Sequence, residues 1–334
     1  MKTFFFFVSL FIAYAAHAKV STGAAVNLYI ENDTRDIGGP GSDNAYSSGF
    51  KFSYVAADDH LPAWTKLATD HSSTIKEAIQ NSKSNFGVSI GQQIYTPNDI
   101  RRTDLITDDR PYAAWLYVGL SSQFKNENQS HGLELDLGVV GPEAAGEAIQ
   151  NGYHKIIAKY SAEGWKHQLR TEPTVQLSYQ QRLKFLELKQ ADGTKYFDAI
   201  PFFGGGIGNV AIDLQAGGMV RLGFQLPDDF GPAKSMIDGD NFVAPSSGSN
   251  RQSSLYTFAA GRGIGVGHNM FLDGNTFLSS HKVTKYPFII ETEVGFVGNY
   301  ENWTVAWRFV TRSPEFEQRS VVNSFASISL GYIF

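Results

Sequence analysis

Three groups of residues in this chain could perform hydrolytic chemistry if the fold brought them together: Asn32-Asp33, Tyr46-Ser47 and His154. Asn and Asp offer hard oxygen ligands of the kind Ca²⁺ takes, roughly six to eight at about 2.3–2.6 Å. A histidine offers a base that works near neutral pH. Together they suggest metal-assisted hydrolysis, with the cation polarising a carbonyl and imidazole activating water. Each residue also has a plainer reading. Asn32-Asp33 runs into Thr34, Arg35 and Asp36, which is loop-entry chemistry, and on residue types alone the turn reading outweighs the ligand reading. A lone His on an amphipathic helix more often packs or faces solvent. Ser47 beside Ser48 could satisfy rim backbone groups, with Gly49 allowing a bend. Ser47 lacks the Gly-x-Ser-x-Gly surround of an activated serine, so water is the better attacking group. With Cys 0, thiolate metal sites and Cys nucleophiles are excluded.

The elements that would position these residues are strands. The C-terminal stretch Ala326 to Phe334 puts Tyr332, Leu330, Ile328 and Ala326 on one face and Gly331, Ser329 and Ser327 on the other, and ends on an aromatic. That is the pattern of a final lipid-facing strand in an outer-membrane β-barrel. At the other end, Lys2, the apolar run Phe4 to Ala15 and the small-x-small site Ala16-His17-Ala18 read as a cleaved export signal over residues 1–18. Residues 19–334 are then a single barrel domain. No later stretch approaches the ~18 unbroken apolar residues of a spanning helix. Aromatics at 13% and 33 glycines suit a wall whose alternate residues touch lipid. The net charge of -5 gives no support to nucleic-acid binding.

Strand-like alternation bounded by turn residues recurs at 22–31, 46–56, 84–94, 112–124, 130–140, 171–185, 194–206, 212–224, 253–263, 284–297, 302–312 and 323–334. The expectation is an all-β, antiparallel, up-and-down transmembrane barrel of about twelve strands. With both termini periplasmic, 32–45, 95–111, 141–170, 207–211, 264–283 and 313–322 lie outside the cell. Asn126–Gln129, Ala191–Gly193 and Asn299–Asn302 suit inner turns. Connections 57–83 and 225–252 are long for that side; the second divides into an ordered part around Pro227–Pro232 and a flexible part around Pro245–Ser249. One outer segment is helical: Glu143 to Tyr160 follows Gly141-Pro142, with Pro at a helix-entry position. Ala145, Ile149, Tyr153, Ile156 and Ile157 share its apolar face. Gly146 and Gly152 weaken it by ~1 kcal/mol each relative to Ala, which a purely structural helix would avoid.

Several loop motifs, in order along nearly the whole mature chain, resemble the outer-membrane lipid A 3'-O-deacylases. They are Glu31-Asn32-Asp33; Asp43-x-x-Tyr46-Ser47-x-Gly49; Ile94-Tyr95-Thr96-Pro97-x-Asp99-Ile100; Asp109-Arg110-Pro111-Tyr112-Ala113; the block Gly138 to His154; Gly164-Trp165-x-x-Gln168-Leu169-x-x-Glu172; Leu272 to Phe277; and Arg312-Ser313-x-Glu315-Phe316. The resemblance implies a twelve-stranded barrel with its active site between the wall and the rim helix, facing the outer leaflet. It implies a Ca²⁺-dependent mechanism in which His154 draws a proton from water and a cation near Asn32, Asp33 and Ser47 forms the oxyanion hole. Ser47 stands where the family often has Thr. The carboxylate that the family places near the helix is not matched, because Tyr160 occupies the position six residues after His154; Glu172 is the chosen substitute. The implied substrate is lipid A within lipopolysaccharide, among outer-membrane lipids. Its phosphates suit Arg101, Arg102 and Arg110, with Tyr46 beside the site. A non-catalytic barrel and a barrel phospholipase remain as alternatives.

Overall fold

The computed structural model describes residues 23–33, 45–57, 82–232, 253–319 and 322–334. Its strands are β1 (Ala25–Asn32), β2 (Ala45–Val55), β3 (Lys83–Thr96), β4 (Ala113–Lys125), β5 (Gln129–Val140), β6 (Glu172–Leu183), β7 (Leu186–Lys189), β8 (Lys195–Gly208), β9 (Ala211–Phe224), β10 (Ser254–Asn269), β11 (Phe288–Tyr300), β12 (Trp303–Arg312) and β13 (Asn323–Ile333). Two helices complete the set, α1 (Gly146–Ile156) and α2 (Met270–Asp273). No helix among the described residues is long and apolar enough to cross a membrane; the strands are the crossing elements.

Each strand pairs antiparallel with its neighbour. The last pairs with the first, Ala25 opposite Ile333 and Asn32 opposite Ala326. Pairing of β6 with β8 closes the circle, so the wall has twelve strands and no open edge. Closure is what a hydrocarbon solvent requires, since it offers no partner to an unpaired backbone N–H or C=O. The thirteenth strand, β7, continues the line of β6 beyond a break at Lys184-Phe185. Arg182 lies opposite Phe202 and Leu186 opposite Ala199, a slip of one residue across the break.

The pleat sorts side chains to two faces. Outside, Val118, Leu120, Leu137, Val175, Leu177, Leu214 and Leu330 are exposed. Inside, the lumen is filled. Lys51 donates to both oxygens of Glu134, at 2.8 and 2.9 Å, and Arg308 to Glu293 at 2.9 Å. A longer chain of alternating charges runs up the wall: Arg262 to Glu291 (3.0 Å), Glu291 to Arg312 (2.6 Å), Arg312 to Glu315 (3.3 Å) and Glu315 to Arg110 (2.8 Å). Buried charges are tolerated because each meets an opposite one.

Both ends of the lumen are stoppered. At the end that carries the termini, Gln225–Pro232 turns inward. There Arg182 donates to the carbonyls of Phe230 and Gly231, and Arg221 joins Asp198 (2.8 and 2.6 Å) to Asp229. The sequence expectation of an ordered Pro227–Pro232 holds. At the other end, α2 drops Met270 and Phe271 into the core, Phe271 stacked on Tyr95 at 4.0 Å between ring centres. Asn126, Ala191–Gly193 and Glu301 form tight turns at the terminal end, as expected. The export segment 1–18, most of 57–83 and the Pro245–Ser249 stretch lie outside the described residues.

The chain of charges makes a test of what holds the wall together. Glu291, 1% exposed, sits between Arg262 and Arg312. Glu291→Gln takes a buried carboxylate from Arg262 and one of two from Arg312 and should lower stability by about 3–5 kcal/mol, whereas replacing all three with apolar residues of similar volume should restore most of the loss. The temperature at which the folded band disappears on unheated gel electrophoresis measures this, and a single variant as heat-resistant as the parent would refute it.

Candidate active site

The outer face of β3 breaks the rule that lipid-facing residues are apolar. Its outward positions run Val88, Ile90, Gln92, Ile94, Thr96, and the last three are buried although they lie on the barrel's exterior. Something covers them. The cover is the segment 141–165, which leaves β5 at Gly141, makes a 3₁₀ turn over Pro142–Ala144, forms α1 and returns through Ala162 and Trp165. Ile94, Ala114, Ile100, Tyr112, Ala144, Ala162 and Trp165 pack as one cluster, with Ile149 against it. Gln92 Nε2 donates to the Ala144 carbonyl at 2.5 Å. Asn151 clamps the return strand, accepting from Ala162 N (2.7 Å) and donating to Ala162 O (3.1 Å). Gly146 is required by this packing: a Cβ there would lie 2.4 Å from the Trp165 ring and 2.5 Å from Ala114 Cβ.

On the same outer face, Asn32 ends β1 opposite Ser48. A bulge between Tyr46 and Ser48 throws Ser47 out of register. Its hydroxyl meets that of Thr96 at 2.5 Å, while Asn32 Nδ2 donates to the Ser47 carbonyl at 3.2 Å. Asn32, Ser47 and Thr96 therefore form one oxygen-rich patch on the outside of the wall. Asp33 follows directly, 1% exposed and within electrostatic reach of Arg319.

His154 lies on α1, 2% exposed, on the face that also carries Gly146 and Gln150. After Ile156 the chain turns back through Ala158, at φ 56, so that Tyr160 O stands 2.7 Å from His154 Nδ1. A carbonyl only accepts, so Nδ1 carries the proton and Nε2 is the basic nitrogen. The helix is where the sequence placed it, but its buried face differs from the expected one: Ile156 is 83% exposed, and Tyr153 and Ile157 are exposed with it. Of the predicted apolar face, Ile149 packs on the wall cluster.

The structure separates the remaining candidates by face. Arg101 and Arg102 are exposed beside the helix; Arg101 pairs with Asp99 at 3.2 Å and lies 5.5 Å from the centre of the Tyr160 ring, and Arg102 pairs with Asp104. Backbone and side-chain hydrogen bonds from Arg101 hold the Asp99 carboxyl below the usual carboxylate range, and the hydrogen bond from Arg102 does the same for Asp104. Three other candidates are corrected, because the strand pleat turns Tyr46 and Glu172 away from the outer patch and the loop before β4 turns Arg110 inward. Tyr46 is fully buried and donates to Glu31 Oε2 at 2.6 Å, its ring lying across Gly49. Arg110 is buried between the rings of Tyr95 and Phe316 and bonded to Glu315. Neither can touch a lipid at the outer face. Glu172 has no part in the oxygen patch either. Its carboxylate accepts from Asn209 Nδ2, Asn275 Nδ2, Thr276 N and Phe277 N at 3.1–3.2 Å, pinning the loop after α2.

A hard cation fits the patch in kind but meets few charges. Asp33 follows Asn32 in the chain and is buried, and no group of three or more His, Cys, Asp or Glu among the described residues is placed to hold a metal ion. Water or substrate oxygens would complete a shell of roughly six to eight. Sequence reasoning gave no role to Gln92, Thr96, Gln150 or Trp165, although polar residues at two outward positions of β3 were there to be read.

The model of the family described as outer membrane protein LpxR matches residues 4–334. No curated protein matches the chain. Among solved structures, LpxR from Salmonella typhimurium is similar at a TM-score of 0.74 and 19% identity, over 93% of this chain and 100% of that one. The beta domain of the Bordetella autotransporter BrkA (TM-score 0.42, 10% identity, 93% and 99% covered) and the KdgM porin (0.38, 7%, 93% and 99%) are more distant. The closed wall with its covered outer patch, together with a family match that runs almost end to end, makes this chain a member of the LpxR family of outer membrane proteins.

Proposed function

We propose that this protein is a lipid A 3'-O-deacylase, an outer-membrane hydrolase that removes the 3'-linked acyl or acyloxyacyl chain of lipid A in the outer leaflet. Family membership supports the coarser statement, a lipid A deacylase of the outer membrane. The observation that supports the finer one is that α1, with His154 buried on its inward face, packs on the outside of the wall over β3, the strand whose outer face also carries Thr96 of the Asn32–Ser47–Thr96 patch, where an acyl chain can arrive without leaving lipid. The end of the barrel bearing α1 would face the cell exterior. A channel is disfavoured by the filled and stoppered lumen.

In this reading His154 Nε2 takes a proton from water as the water oxygen bonds to the ester carbonyl carbon. The bond from that carbon to the sugar oxygen then breaks, and the proton passes to the sugar oxygen. A free fatty acid and a sugar hydroxyl leave. The Tyr160 carbonyl holds the imidazole in the tautomer this needs. Asn32, Asp33 and Ser47 would hold Ca²⁺, which when bound supplies positive charge for the carbonyl oxygen. Arg101 and Arg102 would receive a phosphate of the disaccharide in exchange for their present carboxylate partners.

Three outcomes are expected with purified protein and lipid A in mixed micelles. His154→Ala should reduce fatty-acid release about 10²–10⁴-fold while the barrel stays folded, the usual contribution of one general base; near-normal release would end its role as base. Chelation should stop release and added Ca²⁺ restore it, with Asp33→Asn needing more Ca²⁺; indifference to chelator would remove the cation from the mechanism. Arg101→Ala with Arg102→Ala should raise KM for phosphorylated lipid A and leave the dephosphorylated lipid unaffected. If glycerophospholipids are cleaved as fast as lipid A, the enzyme is a phospholipase instead.

A further inference from the structure

One hydrogen-bond donor in the seam between α1 and the wall has no acceptor among the described residues. Gln150 is 5% exposed, and its Oε1 accepts from Trp165 Nε1 at 2.9 Å. An indole nitrogen can only donate, so the carbonyl end of the amide must face Trp165 and the NH₂ end must face away. That NH₂ is buried and meets no acceptor among the described residues. Protein interiors leave few donors in this condition, because the lost hydration is not recovered. Gln92, facing the same seam from β3, spends its own amide on Ala144 O.

Gln150 precedes His154 by one helical turn, so the two side chains stand on one face with Cβ atoms roughly 5–6 Å apart. Two side chains so placed can address one ester, the base reaching its carbon through a water and the donor reaching its carbonyl oxygen. The donor is also held still. Trp165 fixes the amide, Asn151 locks the return strand onto the helix, and Gly146 lets the helix sit against Ala114 and Trp165.

We infer that Gln150 is a further catalytic residue, whose Nε2 donates to the carbonyl oxygen of the ester that His154-activated water attacks. The inference rests on the deacylase reading above. As the water oxygen bonds to carbon, the carbonyl π pair moves onto the oxygen held by Gln150. When that pair returns, the bond to the sugar oxygen breaks and the sugar oxygen takes the proton from His154. Gln150 gains and loses no proton.

Two variants separate this role from a packing role. Gln150→Met keeps the volume and removes the amide; Gln150→Glu keeps an oxygen for Trp165 and puts an acceptor where the donor stood. In the full chain acting on lipid A, both should lose about 10²–10³-fold in kcat, the usual cost of one oxyanion donor. KM should stay within about threefold of the parent, marking an interaction made only in the transition state. The pH profile of the residual activity should keep its shape in Gln150→Met, since an amide does not titrate. Gln150→Met removes the buried unsatisfied NH₂ but also takes the acceptor from Trp165 Nε1, so its heat resistance is measured beside the parent's to show that the barrel is folded before kcat is read. A kcat for Gln150→Met within about threefold of a parent that releases fatty acid overturns the inference. Should that variant fail to fold, Gln150→Glu decides by the same measure. A parent that releases no fatty acid overturns the deacylase reading instead.

Discussion

The closed antiparallel wall is the constraint on which everything else in this molecule depends. In hydrocarbon no backbone group can be left unpaired, so the sheet must meet itself, and it does so where β6 reaches β8. Once the circle is closed, the period-two pleat decides for each residue whether it meets lipid or lumen. A shift of one position is a change of solvent. That is why Ser47 and Tyr46, neighbours in sequence, serve different purposes: the bulge between Tyr46 and Ser48 leaves the Tyr46 hydroxyl on Glu31 inside and brings the Ser47 hydroxyl to Thr96 outside.

The two faces then solve opposite problems. Inside, charge is buried and must be neutralised, and the alternating run from Arg262 to Arg110 does so without leaving a channel. Outside, apolar residues are the default and a polar patch is the exception. Gln92, Asn32, Ser47 and Thr96 could not face hydrocarbon without losing hydration, and a cover with polar groups of its own offsets that loss. The segment 141–165 is such a cover. It offers the Ala144 carbonyl to Gln92 and buries Gln150 and His154 toward the wall, while Ile156 and Ile157 point away from it.

Much of the fold was legible because alternation is a local property. Each of the twelve wall strands overlaps one expected segment, with ends displaced by up to six residues at β10, and the tight turns at Asn126 and Gly193 follow from their residue types. The break between β6 and β7 was not legible. It is a one-residue slip against β8, a fact about two strands rather than one. The helix was placed correctly but turned wrongly, for a reason specific to this solvent. The usual rule sends the apolar face of a helix toward protein because water lies on the other side. Where the other side is lipid the rule loses its sign, and Gly146, Gln150 and His154 turn inward while Tyr153, Ile156 and Ile157 turn out. The same gap explains Glu172, Arg110 and Tyr46. Tyr46 and Glu172 sit at strand ends, where only the pleat could say which face they take, and Arg110 lies in the loop before β4, whose inward turn is set by its distant partner Glu315.

The proposed site on the outside of the wall follows from the proposed substrate as much as from the protein. A chain carrying several acyl tails cannot enter a lumen filled with ion pairs, and extracting those tails from the membrane would cost about 0.8 kcal/mol per CH₂ exposed to water. A seam against the outer wall avoids that cost, since the tails stay in hydrocarbon while only the ester link and its sugar approach polar groups. The polar groups in turn need a dry, rigid setting, where a fixed dipole is worth more than in water. The Trp165–Gln150 bond and the Asn151 clamp supply the rigidity, and the cluster around Ile94 and Ala114 supplies the dryness. In the proposed reading helix and wall act as one device: the wall contributes oxygens that lipid would otherwise reject, and the helix contributes an imidazole that the returning segment holds in one tautomer.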